Sequence, residues 1–480
     1  MEIARRVLKN TVVMLLGDGI NNLLNFVVLV YLARYLGKSE FGTYSFVLAY
    51  MFIFSFFSLL GINKIVVREI SKDKIMEKKI IGNALTLRAL LSIFAIIISL
   101  VTINLLNYPF NTKILIYIAS ITLLFSSLGA TYSSIFQAHL KMEYSALANF
   151  IERVTLAILI LLIIFFKGTL IHIMIALVVS SLSNLLMTFI FSKNFVNPKF
   201  EFDFSYSKKI LKPSIPVGIT VIFRSIYYRI DVIMLSLMKT EVDVGYYAAA
   251  YTLIGPLNMI PTAFMTSIFP LMSKSFKNSK KSLIVLYERS FRYMLMIGLP
   301  IAVITTLYSI EIIYFIYGKA FLESAYALSI LVWSILFLFM NIVFGNVIIS
   351  MNQQKITAYT AGIMAIVNII LNYILIPQYS YVGASLATVF TEALGAVIYF
   401  FYIYTTLVKN LFRSTILKLI SINLLLYIFL SLFSSLPLYF LIFLSAIFYF
   451  FLIIITNILT KEELEIIKSV IKSICLGVFR

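Results

Sequence analysis

Long apolar runs, separated by short polar segments, follow one another along the whole chain. Each run is about 20 residues long, the length that an α-helix needs to cross the hydrocarbon core of a bilayer. The runs are continuous rather than alternating, so they predict helices and not the strands of a barrel. The pattern predicts fourteen membrane-spanning helices, at residues 10–33, 42–62, 83–106, 113–137, 147–166, 169–191, 214–238, 246–270, 292–309, 325–349, 357–376, 382–406, 415–435 and 437–459.

The composition indicates a membrane protein built of helices. Hydrophobic residues make up 61% of the 480 positions and charged residues only 12%, against about 25% charged in soluble domains. The first apolar run follows Arg5, Arg6 and Lys9 and lacks a small-residue cleavage site, so we expect it to remain as the first span. The single cysteine, Cys475, excludes an intrachain disulfide and a cysteine-based metal site. The predicted fold class is an all-α polytopic membrane protein.

Lysine and arginine are distributed unequally between the two sides of this predicted protein. If the N-terminus is cytoplasmic, the outer loops contain only Arg34, Lys38, Lys113, Lys167, Lys239 and Lys319. Arg224 and Arg229 fall within a span, and all the others are assigned to cytoplasmic segments. The positive-inside rule then predicts a multi-pass protein of the cell membrane with both termini in the cytoplasm. The net charge of +19 becomes a property of the inner face, which suits anionic lipids and requires no nucleic acid; enforcing the topology is the simpler explanation.

Two halves of the chain repeat one design. The segment LGKSEFGTYSFVLAY (36–50) corresponds to MKTEVDVGYYAAAY (238–251), with glycine and tyrosine in matching positions. Parallel repeats of this kind are typical of transporters that bind between two lobes and alternate in access. The predicted division is an N-lobe of six spans (1–191), a basic cytoplasmic linker (192–212), a C-lobe of six spans (213–408), two further spans (409–460) and a cytoplasmic amphipathic tail (461–480).

Four segments carry a family resemblance: ARYLGKSEFGTYSF (33–46), VVREISK (66–72), RIDVIMLSLMKTEVDVGYYAAAY (229–251) and LNYILIPQYSYVGASLAT (371–388). They resemble the polysaccharide transporter, or oligosaccharide flippase, family of the multidrug/oligosaccharidyl-lipid/polysaccharide exporter superfamily. The resemblance implies a flippase that moves lipid-linked saccharides from the cytoplasmic to the outer leaflet. The implied partners are the lipid-linked saccharide, membrane lipids and enzymes of glycan assembly.

Polar side chains inside the first and seventh spans predict a substrate site between the lobes. A charge in a span is costly and is functional by default. On a helical wheel Arg224, Tyr228 and Asp231 share one face, whereas Arg229 points away from it. The predicted substrate-binding residues are Arg224, Asp18, Asn21, Asn22, Asn25, Tyr228 and Arg229.

Arg224 is the expected ligand of a diphosphate, because guanidinium is always charged and donates two parallel hydrogen bonds. The alternative is a structural ion pair of Arg224 with Asp18 or Asp231. Five tyrosines could stack on sugar faces or could simply pack: Tyr227, Tyr228, Tyr246, Tyr247 and Tyr251.

Four side chains at one depth of the second lobe predict a cation site. Asp231, Asn368, Asn372 and Thr388 supply a carboxylate, two amides and a hydroxyl, which are ligands of a hard cation. The family resemblance implies Na⁺ as the coupling ion and no other cofactor. Glu392, one turn from Thr388, is either a proton-coupling acid or a structural hydrogen-bonding group.

Three other functions remain as alternatives. A cation-coupled multidrug exporter of the same superfamily would have a smaller, more acidic cavity, and the charges assigned to the spans here are balanced in sign. A membrane-embedded polysaccharide-processing enzyme would need paired carboxylates or a hydrophilic domain, and none is evident, so we expect no enzyme. A passive scramblase would need no cation site. The chain has no G-x-x-x-x-G-K-[ST] motif for binding phosphate, which argues against a nucleotide as partner.

Overall fold

The computed structural model describes residues 2–407, 413–433, 436–459, 463 and 465, without the side chains of residues 2–16, 18, 216, 217, 219–225, 413, 414, 438 and 439. All regular structure in these ranges is helical. The α-helices are α1 (Glu2–Leu59), α2 (Ile62–Lys72), α3 (Glu77–Leu105), α4 (Phe110–Ala138), α5 (Met142–Phe165), α6 (Leu170–Ser192), α7 (Phe204–Met238), α8 (Glu241–Ile254), α9 (Met259–Asn278), α10 (Lys280–Leu307), α11 (Ser309–Tyr317), α12 (Ser324–Ser350), α13 (Gln354–Thr406), α14 (Arg413–Leu432) and α15 (Leu438–Ile455). Single turns of 3-10 helix, Gly255–Asn258 and Lys319–Phe321, join α8 to α9 and α11 to α12.

The helices account for the fourteen predicted spans. Ten stretches of the described residues are long and apolar enough to cross a membrane, and two of them, of 54 and 53 residues, are long enough to cross it twice. The breaks fall at Gly37, with φ 70°, and at Ser380, with φ 51°. Helix α7, whose centre is charged, and the shorter α15 complete the set. The predicted all-α polytopic fold is therefore confirmed.

Several helices begin before the apolar run that predicted them. Helix α3 begins at Glu77 rather than at 83, α7 at Phe204 rather than at 214, and α10 at Lys280 rather than at 292. The added turns contain lysine and glutamate, which favour helix but carry no hydrophobic signal. Hydropathy therefore marks where a helix enters the bilayer and not where it begins.

Two short helices lie in segments predicted only as loops. Helix α2 buries Ile62, Ile65, Val66 and Ile70 on one face, where they join a hydrophobic cluster with Ile210 of α7. The first turns of α7 are thus packed against the first half of the chain. Helix α11 and the 3-10 turn after it lie near α1.

The spans form two groups that touch each other through α1, α7 and α8. In the first group α4 packs against α3 and α6, and in the second α12 packs against α10 and α13. Helix α14 packs on α10, and α15 packs on α14. We call the groups the first lobe (α1–α6) and the second lobe (α7–α13).

The lobes touch backbone to backbone at two glycines that the sequence repeat matches with each other. A Cβ atom on Gly42 would lie 1.8 Å from the carbonyl oxygen of Glu241, and one on Gly245 would lie 1.9 Å from that of Lys38. Only glycine allows α1 and α8 to touch backbone to backbone in this way. We call this the Gly42–Gly245 contact.

Three side chains of α1 reinforce the Gly42–Gly245 contact. Lys38 Nζ donates to the Tyr246 hydroxyl at 2.9 Å, and Arg34 donates through Nε and Nη2 to the carbonyls of Ile316 and Phe315, both at 2.6 Å. Phe41 meets the edge of the Phe321 ring at 6.0 Å. The lobes are closed against each other at this end.

Candidate functional site

A cavity of about 660 Å³ lies between the two lobes. Phe41 lines it and is the neighbour of Gly42, so the Gly42–Gly245 contact forms one end of the cavity. Its polar lining comes from both lobes: Asn22, Asn25, Tyr44, Ser45, Arg153, Arg229, Tyr251, Thr252, Asn258 and Thr262. Among its described lining residues two are arginines and none is acidic. The cavity is therefore cationic, and amides and hydroxyls accompany its charges.

Arg229 and Asp231 face opposite sides of α7. They are two residues apart, which is about 200° around a helix. Arg229 lines the cavity, with its guanidinium carbon 5.4 Å from the centre of the Phe52 ring. Asp231 points into the second lobe and is 4% exposed. The predicted separation of the two faces thus brings Arg229 to the cavity and Asp231 away from it.

Arg153 is a cavity residue that the sequence analysis missed, because it was assigned to a cytoplasmic segment. It lies on α5, about 16 Å along the axis from Met142 at 1.5 Å per residue. The sequence does indicate that Arg153 lies within the membrane, because residue 153 falls inside the predicted span 147–166. Arg88 was misassigned in the same way and is 1% exposed in α3. With Arg153 included, both described charges that line the cavity are basic.

The remaining predicted substrate residues have different positions. Asn22 and Asn25 line the cavity, and Asn22 Nδ2 lies 3.4 Å from the sulfur of Met259. Asn21 is not among the lining residues, and its buried Oδ1 has no hydrogen-bond partner among the described atoms. Tyr228 lines a smaller pocket inside the second lobe. The side chains of Arg224 and Asp18 lie outside the described residues.

The four residues predicted to hold a cation lie together inside the second lobe. Asn372 Nδ2 donates to Asp231 Oδ1 at 2.5 Å and to Asn368 Oδ1 at 3.0 Å. The Thr388 hydroxyl donates to Asp231 Oδ2 at 2.8 Å and is also 3.0 Å from the Ala384 carbonyl. All four side chains are buried, both amides completely. Their role as cation ligands stays a prediction.

The donor set of this cluster suits a hard cation. It gathers a carboxylate, a hydroxyl and two amide oxygens, the groups that bind such ions in proteins. Asn372 Oδ1 is buried without a hydrogen-bond partner in the described part of the chain. A buried acceptor of this kind is costly unless a donor or a cation satisfies it.

Tyr247 is a member of this cluster that was expected to stack on sugars or to pack. It is 1% exposed, and its hydroxyl donates to Asp231 Oδ2 at 2.8 Å and lies 3.1 Å from Thr388 Oγ1. A residue so placed cannot reach a sugar in the cavity. Of the other tyrosines, Tyr251 lines the cavity and Tyr246 belongs to the Gly42–Gly245 contact.

Glu392 occupies a separate polar group in the second lobe. Its Oε1 accepts from the Tyr227 hydroxyl at 2.6 Å and its Oε2 from Asn341 Nδ2 at 2.6 Å. A small pocket of about 20 Å³ touches both Glu392 and Asp231, which is room for about one water molecule. Two carboxylates thus lie on one small pocket, each with its own hydrogen-bond donors.

The family model described as "Polysaccharide biosynthesis protein" matches residues 7–276, more than half of the chain. The chain therefore belongs to this family, and the resemblance drawn from its motifs is confirmed. A second model, MatE, matches residues 216–374. The chain is therefore a multi-pass membrane protein of the superfamily that contains both of these families.

Curated relatives and solved structures agree with this assignment. The chain is 25% identical to "Probable low-salt glycan biosynthesis flippase Agl15" of Haloferax volcanii, with 84% of each chain covered. It is 24% identical to "Capsular polysaccharide biosynthesis protein CapF" of Staphylococcus aureus, with 82% of this chain and 99% of the relative covered. Its fold matches "Lipid II flippase MurJ, inward closed conformation" with TM-score 0.77 and 19% identity over 91% of this chain and 97% of that chain.

Proposed function

We propose that this protein is a flippase that moves a lipid-linked saccharide from the cytoplasmic to the outer leaflet by alternating access. The curated relatives include proteins named for glycan flipping and capsular polysaccharide biosynthesis. The cavity between the two lobes would hold the saccharide headgroup while it crosses the membrane. The saccharide's lipid chains would remain in the bilayer beside the lobes.

The cationic cavity is the observation that carries this proposal. Arg153 and Arg229 line it without a described carboxylate within ion-pair distance. Guanidinium groups bind phosphate with paired, charge-assisted hydrogen bonds, and they are worth most where water is scarce. Amides and hydroxyls such as those of Asn22, Asn25 and Asn258 suit the hydroxyls of a sugar.

The same observation disfavours an exporter of cationic drugs. Such a substrate needs acidic groups in the cavity, and the described acids of the spans face elsewhere. Asp231 and Glu392 are 4% exposed each and are surrounded by hydrogen-bond donors inside the second lobe. An anionic headgroup is therefore the better match to the charges of the lining.

We further propose that transport is coupled to Na⁺ at Asp231, Asn368, Asn372 and Thr388. The support is their shared hydrogen-bonded cluster and the unsatisfied Oδ1 of Asn372. Glu392 is the candidate for proton coupling if Na⁺ is not used. In the proposed orientation both termini are cytoplasmic and the Gly42–Gly245 contact lies on the outer side.

The test is the leaflet distribution of lipid-linked saccharides in native cells depleted of this protein and complemented with variants. Loss of the protein should leave the intermediates on the cytoplasmic leaflet and remove the surface glycan. Arg229→Ala and Arg153→Ala should each reduce flipping about 10- to 100-fold, because a hydrogen bond to a charged group is worth about 1.5–3 kcal/mol.

Arg68→Ala is the matched control, because Arg68 is an exposed arginine of α2 whose ion-pair partner among the described residues is Glu69. It should complement fully. An unchanged leaflet distribution after depletion would refute the flippase and direct attention to export of small cations. Full activity of both cavity variants would remove the phosphate-binding role of the arginines.

A further inference from the structure

Two neighbouring tyrosines of α8 bond in different directions. The hydroxyl of Tyr246 accepts from Lys38 of the first lobe at 2.9 Å, and that of Tyr247 donates to Asp231 inside the second lobe at 2.8 Å. Successive residues of a helix point about 100° apart, so adjacent positions can face two different partners. Gly245, one residue earlier, is the point where α8 touches α1. Three consecutive residues therefore join the Asp231 cluster to the Gly42–Gly245 contact.

We propose that Tyr247 is a positioning residue that transmits occupancy of the Asp231 cluster to the Gly42–Gly245 contact. The inference rests on the proposed binding of a cation by that cluster. Tyr247 would connect binding of the ion to the relative movement of the two lobes.

The chemistry of one oxygen atom supplies the coupling. Without a cation, Asp231 Oδ2 accepts hydrogen bonds from both Tyr247 and Thr388. A cation bound at Asp231 competes for the lone pairs of that oxygen, and it repels the hydroxyl hydrogen of Tyr247. The hydroxyl of Tyr247 must then either rotate so that its lone pairs face the ion or move away from Asp231. Either movement changes the position of α8 relative to α7.

The Gly42–Gly245 contact is sensitive to such a movement. The two backbones touch without side chains between them, and the Lys38–Tyr246 hydrogen bond is one residue from Tyr247. Packed interfaces of this kind switch between discrete arrangements instead of deforming gradually. The cation therefore favours separation of the lobes at this contact, and by linkage the separated state binds the cation more tightly.

The experiment measures the distance between the lobes and cation binding in the same purified protein. Cys475 is the only cysteine, so a Cys475→Ser background allows spin labels at Asn111→Cys in the first lobe and Lys319→Cys in the second. Both positions are exposed and lie near the same end as the contact. Double electron–electron resonance is recorded in NaCl and in KCl, and Na⁺ binding is measured separately as a shift in the thermal unfolding midpoint.

Tyr247→Phe removes only the hydroxyl that reaches Asp231. Tyr317→Phe is the matched control, because Tyr317 is also buried and its hydroxyl also bonds to α8, through the Ala249 carbonyl at 3.1 Å. In the parent protein and in Tyr317→Phe, Na⁺ should lengthen the distance between the labels. In Tyr247→Phe, Na⁺ should still bind, within about tenfold in affinity, but the distance should no longer respond.

Each remaining result has a defined meaning. A distance that responds to Na⁺ equally in Tyr247→Phe and in the parent would overturn the proposal, and so would one that never responds although Na⁺ binds. Complete loss of Na⁺ binding in Tyr247→Phe would make the tyrosine a ligand and not a link. Absence of Na⁺ binding in the parent would instead refute the cation site of the proposed function.

Discussion

Arg229 and Asp231 show how one helix keeps opposite charges apart. Arg229 lies in the cavity beside Phe52, and Asp231 is surrounded by donors from α8 and α13. The Cα atoms of Arg229 and Asp231 are about 200° apart around the axis of α7. The guanidinium therefore faces the proposed substrate, and the carboxylate faces the proposed ion. A single span can thus serve both sites without an ion pair that would neutralise them.

We predict that Asp231→Asn abolishes stabilisation of the protein by Na⁺. The substitution removes the only carboxylate of the cluster but keeps its size. A ligand at 100 times its Kd stabilises a folded protein by about 2.7 kcal/mol, and this increment should disappear. The measurement is thermal unfolding in NaCl compared with KCl.

Glu392→Gln is the control for this prediction, since Glu392 accepts hydrogen bonds from Tyr227 and Asn341, which lie outside the cluster. It should retain the difference between the two salts. If Glu392→Gln loses that difference and Asp231→Asn keeps it, the cation site is assigned to the wrong carboxylate.

At the scale of elements, the backbone contact between the lobes depends on the absence of two side chains. A Cβ at Gly42 or Gly245 would overlap a carbonyl oxygen of the facing helix at less than 2 Å. We predict that Gly42→Ala and Gly245→Ala separate α1 from α8 and lengthen the distance between labels at positions 111 and 319, with or without Na⁺.

Gly345→Ala and Gly362→Ala provide the comparison, because a Cβ at either position meets nothing within 4 Å. These variants should leave the distance between the lobes unchanged. An unchanged distance in the Gly42 and Gly245 variants would show that the contact is not what keeps the lobes together at this end.

We predict that the stability of the first turn of α7, which precedes the predicted span, depends on pH. Asp203 caps the helix by accepting from the Tyr206 amide at 3.1 Å and pairs with Lys79 of α3 at 2.9 Å. The hydrogen bond from Lys79 lowers the pKa of Asp203 from its ordinary value of 3.8. Because the pKa is lower in the folded state, the carboxylate stabilises this end of α7 above about pH 4, and that contribution is lost as the pH falls further.

Hydrogen exchange of the first turn of α7 at pH 7 and at pH 3 checks this prediction. Exchange in the parent should become faster, relative to the intrinsic rate, at the lower pH. Asp203→Asn keeps a capping side chain but lacks the titrating charge, so its protection should differ less between the two conditions. Equal sensitivity of both proteins would rule out Asp203 as the group responsible.

Sequence predicted the elements better than their contacts. The spans are visible because bilayer thickness fixes the length of apolar runs. Asp231, Asn368, Asn372 and Thr388 were grouped by their depth, by their donor atoms and by the family resemblance. Tyr247 was assigned a different role, because depth does not say which way a tyrosine on α8 faces. Whether a side chain faces the cavity or a lobe depends on the rotation of each helix, which neighbouring helices determine.

At the scale of the whole molecule, the two lobes have unequal chemistry despite their common design. The first lobe supplies Arg153, Asn22 and Asn25 to the cavity, whereas the buried carboxylate cluster belongs to the second lobe. The contact between the lobes uses the matched glycines of the repeat. Symmetry is retained where the lobes fit together and is lost at the proposed substrate and cation sites.

The proposed orientation is the last property that requires a test, because it determines the direction of flipping. Basic segments stay in the cytoplasm, so the loop after α2 should be inside and the turn after α11 outside. In a Cys475→Ser background, a cysteine at Lys319 should react with a membrane-impermeant maleimide in intact cells. A cysteine at Ile75, which is 94% exposed, should react only after the membrane is permeabilised. The reverse pattern would place the Gly42–Gly245 contact on the cytoplasmic side, and the cavity would then face outward.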